Sequence, residues 1–434
     1  MSGSTTSLPS YVAPSLTNVP TYSAEPQAYE QRLAWVARNG LGVDFVKQSK
    51  NGGLGLRLKG QEENAALPVY GYGAVISGRV EIADSKKGDG LVAVEIKIEG
   101  SLHLKEIAGG GTTTHKLCLS RSTLWNNSQS RPCPSSLPFS IELPSHFDYS
   151  GESYPLPPTH EAQLKGVPGF RAIIDYSVTA HIQKTGQLMS RVPLKNGNTV
   201  STPFIYYPRS RPAVPVPSPM LSQPLSPGFA DSTEWKCFES VMSAKNRRNN
   251  DILAKLWIPA SRVFHMREPI PFHLSFVSSA QSLTAFLPWA PSTSSISPKR
   301  PTRLQLLRQV SVDVRNPMFD DGSKTDIWNV FSIGEATFRH TADGADFTSF
   351  SGEIRVDDNV KNGAFRAGGL FVKDCLVLSI HAPDPAKCPF ADLRLVVPVR
   401  LATDSWDTEG RVHVPSSPSE EAVGQQRFGE YSEQ

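Results

Sequence analysis

Apolar and polar residues alternate with period two over long stretches of this chain. Between Val92 and Lys105 the even positions Val92, Val94, Ile96, Ile98, Leu102 and Leu104 are apolar, whereas Glu95, Lys97, Glu99, Ser101, His103 and Lys105 hold odd ones. A strand burying one face explains this; a helix would scatter the same residues around its circumference. Gly100 interrupts the apolar row and marks a place for a bulge. The alternation returns in Ile174, Tyr176, Val178, Ala180 and Ile182, and shorter strands are expected at Ala74 to Ile82, Lys116 to Leu119 and Leu137 to Leu143. These place a first strand block over 68–205.

A second block is expected over 233–403. Ile270, Phe272, Leu274 and Phe276 share one face, as do Leu304, Leu306, Val310, Val312 and Val314 across Arg308, and Leu393, Leu395, Val397, Val399 and Leu401. Leu376, Leu378 and Ile380 make a further strand. Around Trp235 to Arg248 the spacing of Trp235, Phe238, Val241 and Met242 leaves helix and strand both open, and Ser278 to Thr302 reads as a long loop. Strands at short spacing without long intervening helices cannot form parallel crossover units. The expected class is therefore all-β, two antiparallel immunoglobulin-like sandwiches in tandem.

Three segments fall outside these blocks. Residues 1–67 are rich in Ser, Thr, Pro and Gly and read as flexible, with one short helix suggested by Tyr29, Leu33 and Val36. Residues 206–232 carry most of a run of eight prolines beginning at Pro203, which favours a semi-rigid extended linker. The tail 404–434 carries seven acids against Arg411 and Arg427 and reads as a solvated, disordered end.

Composition narrows the functional classes. The 434 residues carry 44 Lys and Arg against 41 Asp and Glu, a net charge of +3, so no bulk field steers the chain to nucleic acid or to a membrane surface. Proline is high, 36 residues or about 8% against a usual ~5%, which argues against helical or doubly wound folds. Five cysteines without a CxxC pair read as reduced structural thiols of an intracellular, cytoplasmic protein. No secretory signal or membrane-spanning run is seen.

Catalytic patterns are missing. Gly71, Gly73 and Gly78 have the wrong spacing for a dinucleotide loop, Gly109 to Gly111 lead into threonines rather than a phosphate-binding Lys, and His160-Glu161 is followed by Leu164 where a zinc site needs His. Asp320 and Asp321, and Asp357 and Asp358, read as solvated turn residues rather than a calcium site. No catalytic residue, metal or cofactor is expected.

Interaction motifs are more informative. Leu8, Pro9 and Tyr11 fit the [L/P]PxY pattern that WW domains bind, and Val19, Pro20 and Tyr22 repeat it with a weaker first residue. Arg209, Pro212 and Pro215 have the spacing of an SH3 ligand. Ser218, Ser226, Ser297 and Ser417 each precede proline and are candidate phosphorylation sites.

Two runs of segments carry a family resemblance. GYGAVISGRVEI, LVAVEIKIEGSLHL, LPFSIELP, LPPTHEAQL and FRAIIDYSVTAHIQK follow in the order of an arrestin N-terminal domain. REPIPFHLSFV, LQLLRQVSVDVRN, GGLFVKDCLVLSIHAPDP and FADLRLVVPVRLATD follow in that of an arrestin C-terminal domain. Over residues 68–403 the chain resembles the alpha-arrestin group, most of all arrestin-like proteins of basidiomycete fungi. The resemblance implies a non-catalytic adaptor that recognises cytoplasmic segments of plasma-membrane transporters or receptors. It implies recruitment of a HECT-type ubiquitin ligase through its WW domains, with docking assigned to Leu8, Pro9 and Tyr11 and to Val19, Pro20 and Tyr22. Recruitment to the plasma membrane or endosomes for endocytosis would follow. An arrestin-fold scaffold without ligase recruitment stays open, as does a ligand- or carbohydrate-binding sandwich, which the lack of a secretory signal and of an aromatic cluster disfavours.

Overall fold

Alternation translates into strands almost throughout. The computed structural model describes residues 28–35, 42–63, 65–83, 90–107, 111–129, 131–185, 199–220, 229, 232–292, 300–315 and 324–407. In the first half lie β1 (Glu30–Leu33), β2 (Val43–Gln48), β3 (Leu54–Gln61), β4 (Val69–Tyr70), β5 (Val75–Ile82), β6 (Leu91–Glu106) and β7 (Thr112–Asn126). They are followed by β8 (Ser136–Glu142), β9 (His146–Tyr149), β10 (Glu152–Pro155), β11 (His160–Leu164), β12 (Phe170–Lys184), β13 (Thr199–Tyr206) and β14 (Arg209–Pro212). The second half holds β15 (Trp235–Met242), β16 (Ile252–Pro259), β17 (Val263–His265), β18 (Ile270–Val277) and the helix α1 (Ala280–Phe286). It ends with β19 (Thr302–Arg315), β20 (Lys324–Asp343), β21 (Phe347–Val356), β22 (Phe365–Ala367), β23 (Leu370–Ile380) and β24 (Leu393–Ala402).

In the first block a sheet ordered β2-β3-β5-β8 faces one ordered β4-β13-β12-β6-β7, with β11 on β12. Leu54, Leu56 and Leu58 from the first sheet and Ile96, Ile98, Val178 and Ala180 from the second close over one core. The bulge expected at Gly100 is present, as a register shift against β7 between Gly100 and Ser101. A Cβ at Gly100 would fall 2.4 Å from the Tyr176 ring and 2.9 Å from Cys118 Sγ, so only glycine lets the strand pass.

The second block is a single sheet ordered β15-β16-β18-β21-β20-β19-β23-β24-β17, with β22 on β23. Ile252 and Leu256 of β16 share one apolar cluster with Leu393 and Val399 of β24, so the sheet curls over its own core. Pairing is antiparallel except for β4 with β13 and β17 with β24, which are parallel.

Several expectations change. Residues 43–61, assigned to a flexible segment, hold β2 and β3 of the first sandwich; of the short helix expected over Tyr29 to Arg38, Glu30–Leu33 are instead the strand β1 and residues 36–38 lie outside the described residues. Trp235 to Met242 is a strand, paired along its whole length with β16. The expected loop 278–302 contains α1, capped by Ser279, with Phe286 fully buried against Phe276. None of the five cysteines is in a disulfide.

The two blocks share apolar contacts. Val310, Val312, Ile327, Leu370 and Val372 belong to the cluster formed by the first block's core, not to that of their own. The turn Gly368-Gly369, both at positive φ, reaches Leu102 and Leu104 of β6, whose burial the second block completes. Each such side chain contributes roughly 1.5–3 kcal/mol when fully buried, so the junction is a packed interface rather than a loose hinge.

Candidate functional site at the junction

Three buried ion pairs stand at this junction, and two of them cross it. Arg308 sits on β19 where the strand passes from one core to the other, and its guanidinium forks onto Asp374 of β23. Nε and Nη2 donate to Oδ1 and Oδ2, both at 2.8 Å. Nη2 also donates to the carbonyl of Asn362 at 2.8 Å, and Asn362 Nδ2 donates to the Thr159 carbonyl of the first block at 3.1 Å. Arg209 of β14 donates from Nε to Asp404 Oδ2 at 3.0 Å, with a closer contact from Nη2 to Oδ1. Arg400 of β24 pairs with Glu30 of β1. Because β1 pairs with β14, the last two bridges tie one two-stranded ribbon to the end of β24. Ser210 completes the seam: its N–H donates to Thr403 Oγ1 at 2.9 Å and its carbonyl accepts from the Asp404 N–H at 3.0 Å.

Two hollows flank the loop 359–366. The smaller, about 80 Å³, lies beside Glu30, Arg209 and Arg400. The larger is a groove of about 420 Å³ lined by residues 159–163 and Phe170 of the first block, and by Arg308, Val310, Asn329, Phe331, Ile333 and the loop 359–362 of the second. His160 enters it with its ring against Phe365, centroids 5.0 Å apart. Burial, helped by the Arg308 charge, pushes the His160 pKa down to about 4, so the imidazole is neutral at physiological pH. Burial and the neighbouring Asp374 carboxylate raise the Cys375 thiol to about 11, which keeps it protonated and unreactive. With Arg308 matched by Asp374, the groove offers hydrogen bonds and apolar surface, with the exposed Lys361 among its lining residues.

Of the sequence-derived candidates, Leu8, Pro9, Tyr11, Val19, Pro20, Tyr22, Ser226, Ser297 and Ser417 lie outside the described residues. The SH3-type spacing is not presented as a free ligand. Arg209 is buried on Asp404, and Pro212 is buried in β14 opposite Glu30; only Pro215 is exposed. Ser218 is exposed, but its carbonyl accepts the Trp235 indole N–H at 3.2 Å, so this stretch of the linker is docked on the second block. Asp404, assigned to the solvated tail, is a buried structural residue. The acids Asp357 and Asp358 are exposed turn residues, and among the described residues no group of three or more His, Cys, Asp or Glu could hold a metal ion. Among those residues, no helix is long and apolar enough to cross a membrane.

No pattern in the sequence marks the junction. In the sequence Arg308 reads only as an interruption of an apolar face. Its partner lies 66 residues away and that of Arg209 lies 195 away, separations at which no sequence pattern signals a pair. Arg308 did carry one signal, a charge at the centre of an otherwise inward-facing row.

Comparisons with known proteins add the following. No family model matches the chain, and no curated protein does. Among solved structures the chain is similar to squid arrestin, at 12% sequence identity and a TM-score of 0.38, over 85% of this chain and 100% of that one.

Proposed function

We propose that the chain is a non-catalytic adaptor of the arrestin type that links membrane-protein cargo to a HECT-type ubiquitin ligase and so serves endocytosis and trafficking. The observation that carries this is the order of the strand motifs along both blocks, which follows that of the two arrestin domains. Two β-sandwiches fastened by buried ion pairs and a shared apolar cluster support it, because such a body presents separated loops and grooves in a fixed relation. Ligase docking belongs in this reading to Leu8, Pro9 and Tyr11, with Val19, Pro20 and Tyr22 as a second copy. Pre-set proline geometry lowers the ordering cost of such a peptide on an aromatic-lined WW groove. Cargo is a cytoplasmic segment of a transporter or receptor, and the adaptor works from the cytoplasm at the plasma membrane or endosomes.

A scaffold of the same architecture without ligase recruitment is the second reading, favoured by Val19 standing where the motif prefers Leu or Pro. Calorimetric titration of the full chain with an isolated WW domain separates the two. Saturable heat, abolished by Tyr11→Ala combined with Tyr22→Ala, supports the ligase link. No heat, or heat that survives both substitutions, leaves the scaffold.

A further inference from the structure

The groove at the junction has two unlike walls. Residues 160–163 are consecutive in β11, and all four line it. Neighbouring residues of a strand point to opposite faces, so four in a row can border one hollow only if the strand turns its edge toward it. β11 pairs with β12 on its other side, and among the described residues no strand pairs with the edge that is left. From β20, by contrast, the lining residues are Asn329, Phe331 and Ile333, every second position, so that strand presents its face. Val310 and Arg308 of β19 stand opposite Asn329 and Phe331 in the ladder and extend the same floor.

An open edge above an apolar floor is the arrangement that takes up an extended peptide by strand addition: backbone groups pair with the edge, and alternate side chains fall on the floor. Two further observations point to an occupant. The Phe331 side chain, in the middle of the floor, is 42% exposed. His160 Nε2 is fully shielded from solvent yet has no hydrogen-bond partner, an unfavourable state for a polar atom unless a ligand supplies one.

We propose that this groove binds an extended segment of a partner protein that carries no basic residue, added as a strand to the free edge of β11. Apolar side chains alternate onto the floor around Phe331, its exposed apolar side chain, and one hydroxyl or amide side chain reaches His160. The edge is five residues, about 17 Å at ~3.4 Å per residue, which sets the core of the segment at four or five residues. Charge complementarity selects a segment without basic residues: Arg308 is neutralised by Asp374, Glu161 is bridged to Arg171 at 2.9 Å, and the exposed Lys361 adds a positive charge to the lining. The inference deepens the adaptor reading by giving cargo a docking place, and rests on it only for the source of the segment.

The test is a displayed library of random heptapeptides selected on the full chain, and it requires neither a ligase nor an identified cargo. Selected peptides are expected to alternate apolar and polar residues, to slow amide exchange in residues 160–164, and to bind at least tenfold more weakly to Phe331→Ser. Trp328→Ser is the matched control: Trp328 is 44% exposed on the opposite face of the same strand, and its loss should leave affinity unchanged. Methylating alternate backbone nitrogens of a selected peptide on its pairing side should weaken binding by tenfold or more. The groove proposal is overturned by selection of no binders, by peptides that bind Phe331→Ser as well as the parent, or by exchange protection elsewhere with β11 unchanged. None of these outcomes bears on the WW-domain titration, so the two readings fail separately.

Discussion

Arg308 of β19 and Asp374 of β23 form a two-pronged ion pair where the two apolar cores meet, with the Asp374 side chain wholly shielded from water and that of Arg308 nearly so. Both charges are desolvated, so the pair is balanced only while both members are present. Arg308→Ala or Asp374→Ala should each cost about 3–5 kcal/mol, seen as a lower urea midpoint. Arg308→Met with Asp374→Leu should recover most of that loss, because the uncompensated charge is gone. Equal destabilisation in the double variant would contradict a desolvated pair.

Asp404 holds Arg209, and through the ladder of β14 with β1 it also holds residues 30–33. Asp404→Ala should therefore loosen the ribbon without loosening the sandwich cores. Hydrogen exchange is expected to quicken about tenfold in residues 30–33, the size of change that follows from lowering a local opening free energy by about 1.4 kcal/mol, while β6 keeps its protection.

Acid should weaken the fold through two histidines. His273 accepts the Met220 N–H at Nε2, 3.1 Å, between the rings of Phe229 and Trp235, and its burial pushes its pKa down to about 4; burial and Arg308 bring His160 to about 4. Unfolded, each titrates near 6.5. The unfolded chain therefore binds more protons between about pH 6.5 and 4, and stability present above that window is lost as pH falls through it. Each histidine should contribute a loss of about 2 kcal/mol by pH 5. Urea midpoints measured at pH 7 and pH 5 check this, and His273→Phe should flatten the profile by its share.

Gly100→Ala tests the bulge in β6. The added methyl would meet the ring of Tyr176, which is held in place because its hydroxyl donates to the Pro157 carbonyl at 2.6 Å. With no free direction in which to retreat, the strand should lose about 1–3 kcal/mol, read as a lower thermal midpoint, whereas Gly73→Ala, with open space around it, should lose less despite its positive φ.

Long one-sided strands were readable in the sequence because each residue's burial follows from its neighbours two away; β6, β12 and β18 are of this kind. β3 does alternate, with Leu54, Leu56 and Leu58 inward, but Gly52, Gly53, Gly55 and Gly60 hid it among loop-like residues. Trp235, Phe238, Val241 and Met242 mimicked a helix because an edge strand tolerates an exposed Val241, which pattern alone cannot distinguish from a helical stripe. β1 and β14 are too short to show a period and form only by pairing with each other across the chain. The groove depends on which strand edge is left unpaired, and that is fixed by topology, not by local composition.

The adaptor reading is tested most directly by proximity labelling in the native cell from the full chain and from the Tyr11→Ala, Tyr22→Ala variant. The expected result is that the parent labels both a HECT-type ligase and integral membrane proteins, and that the variant loses the ligase while keeping the membrane proteins. Labelling of neither class above background, or a ligase signal unchanged in the variant, would contradict it.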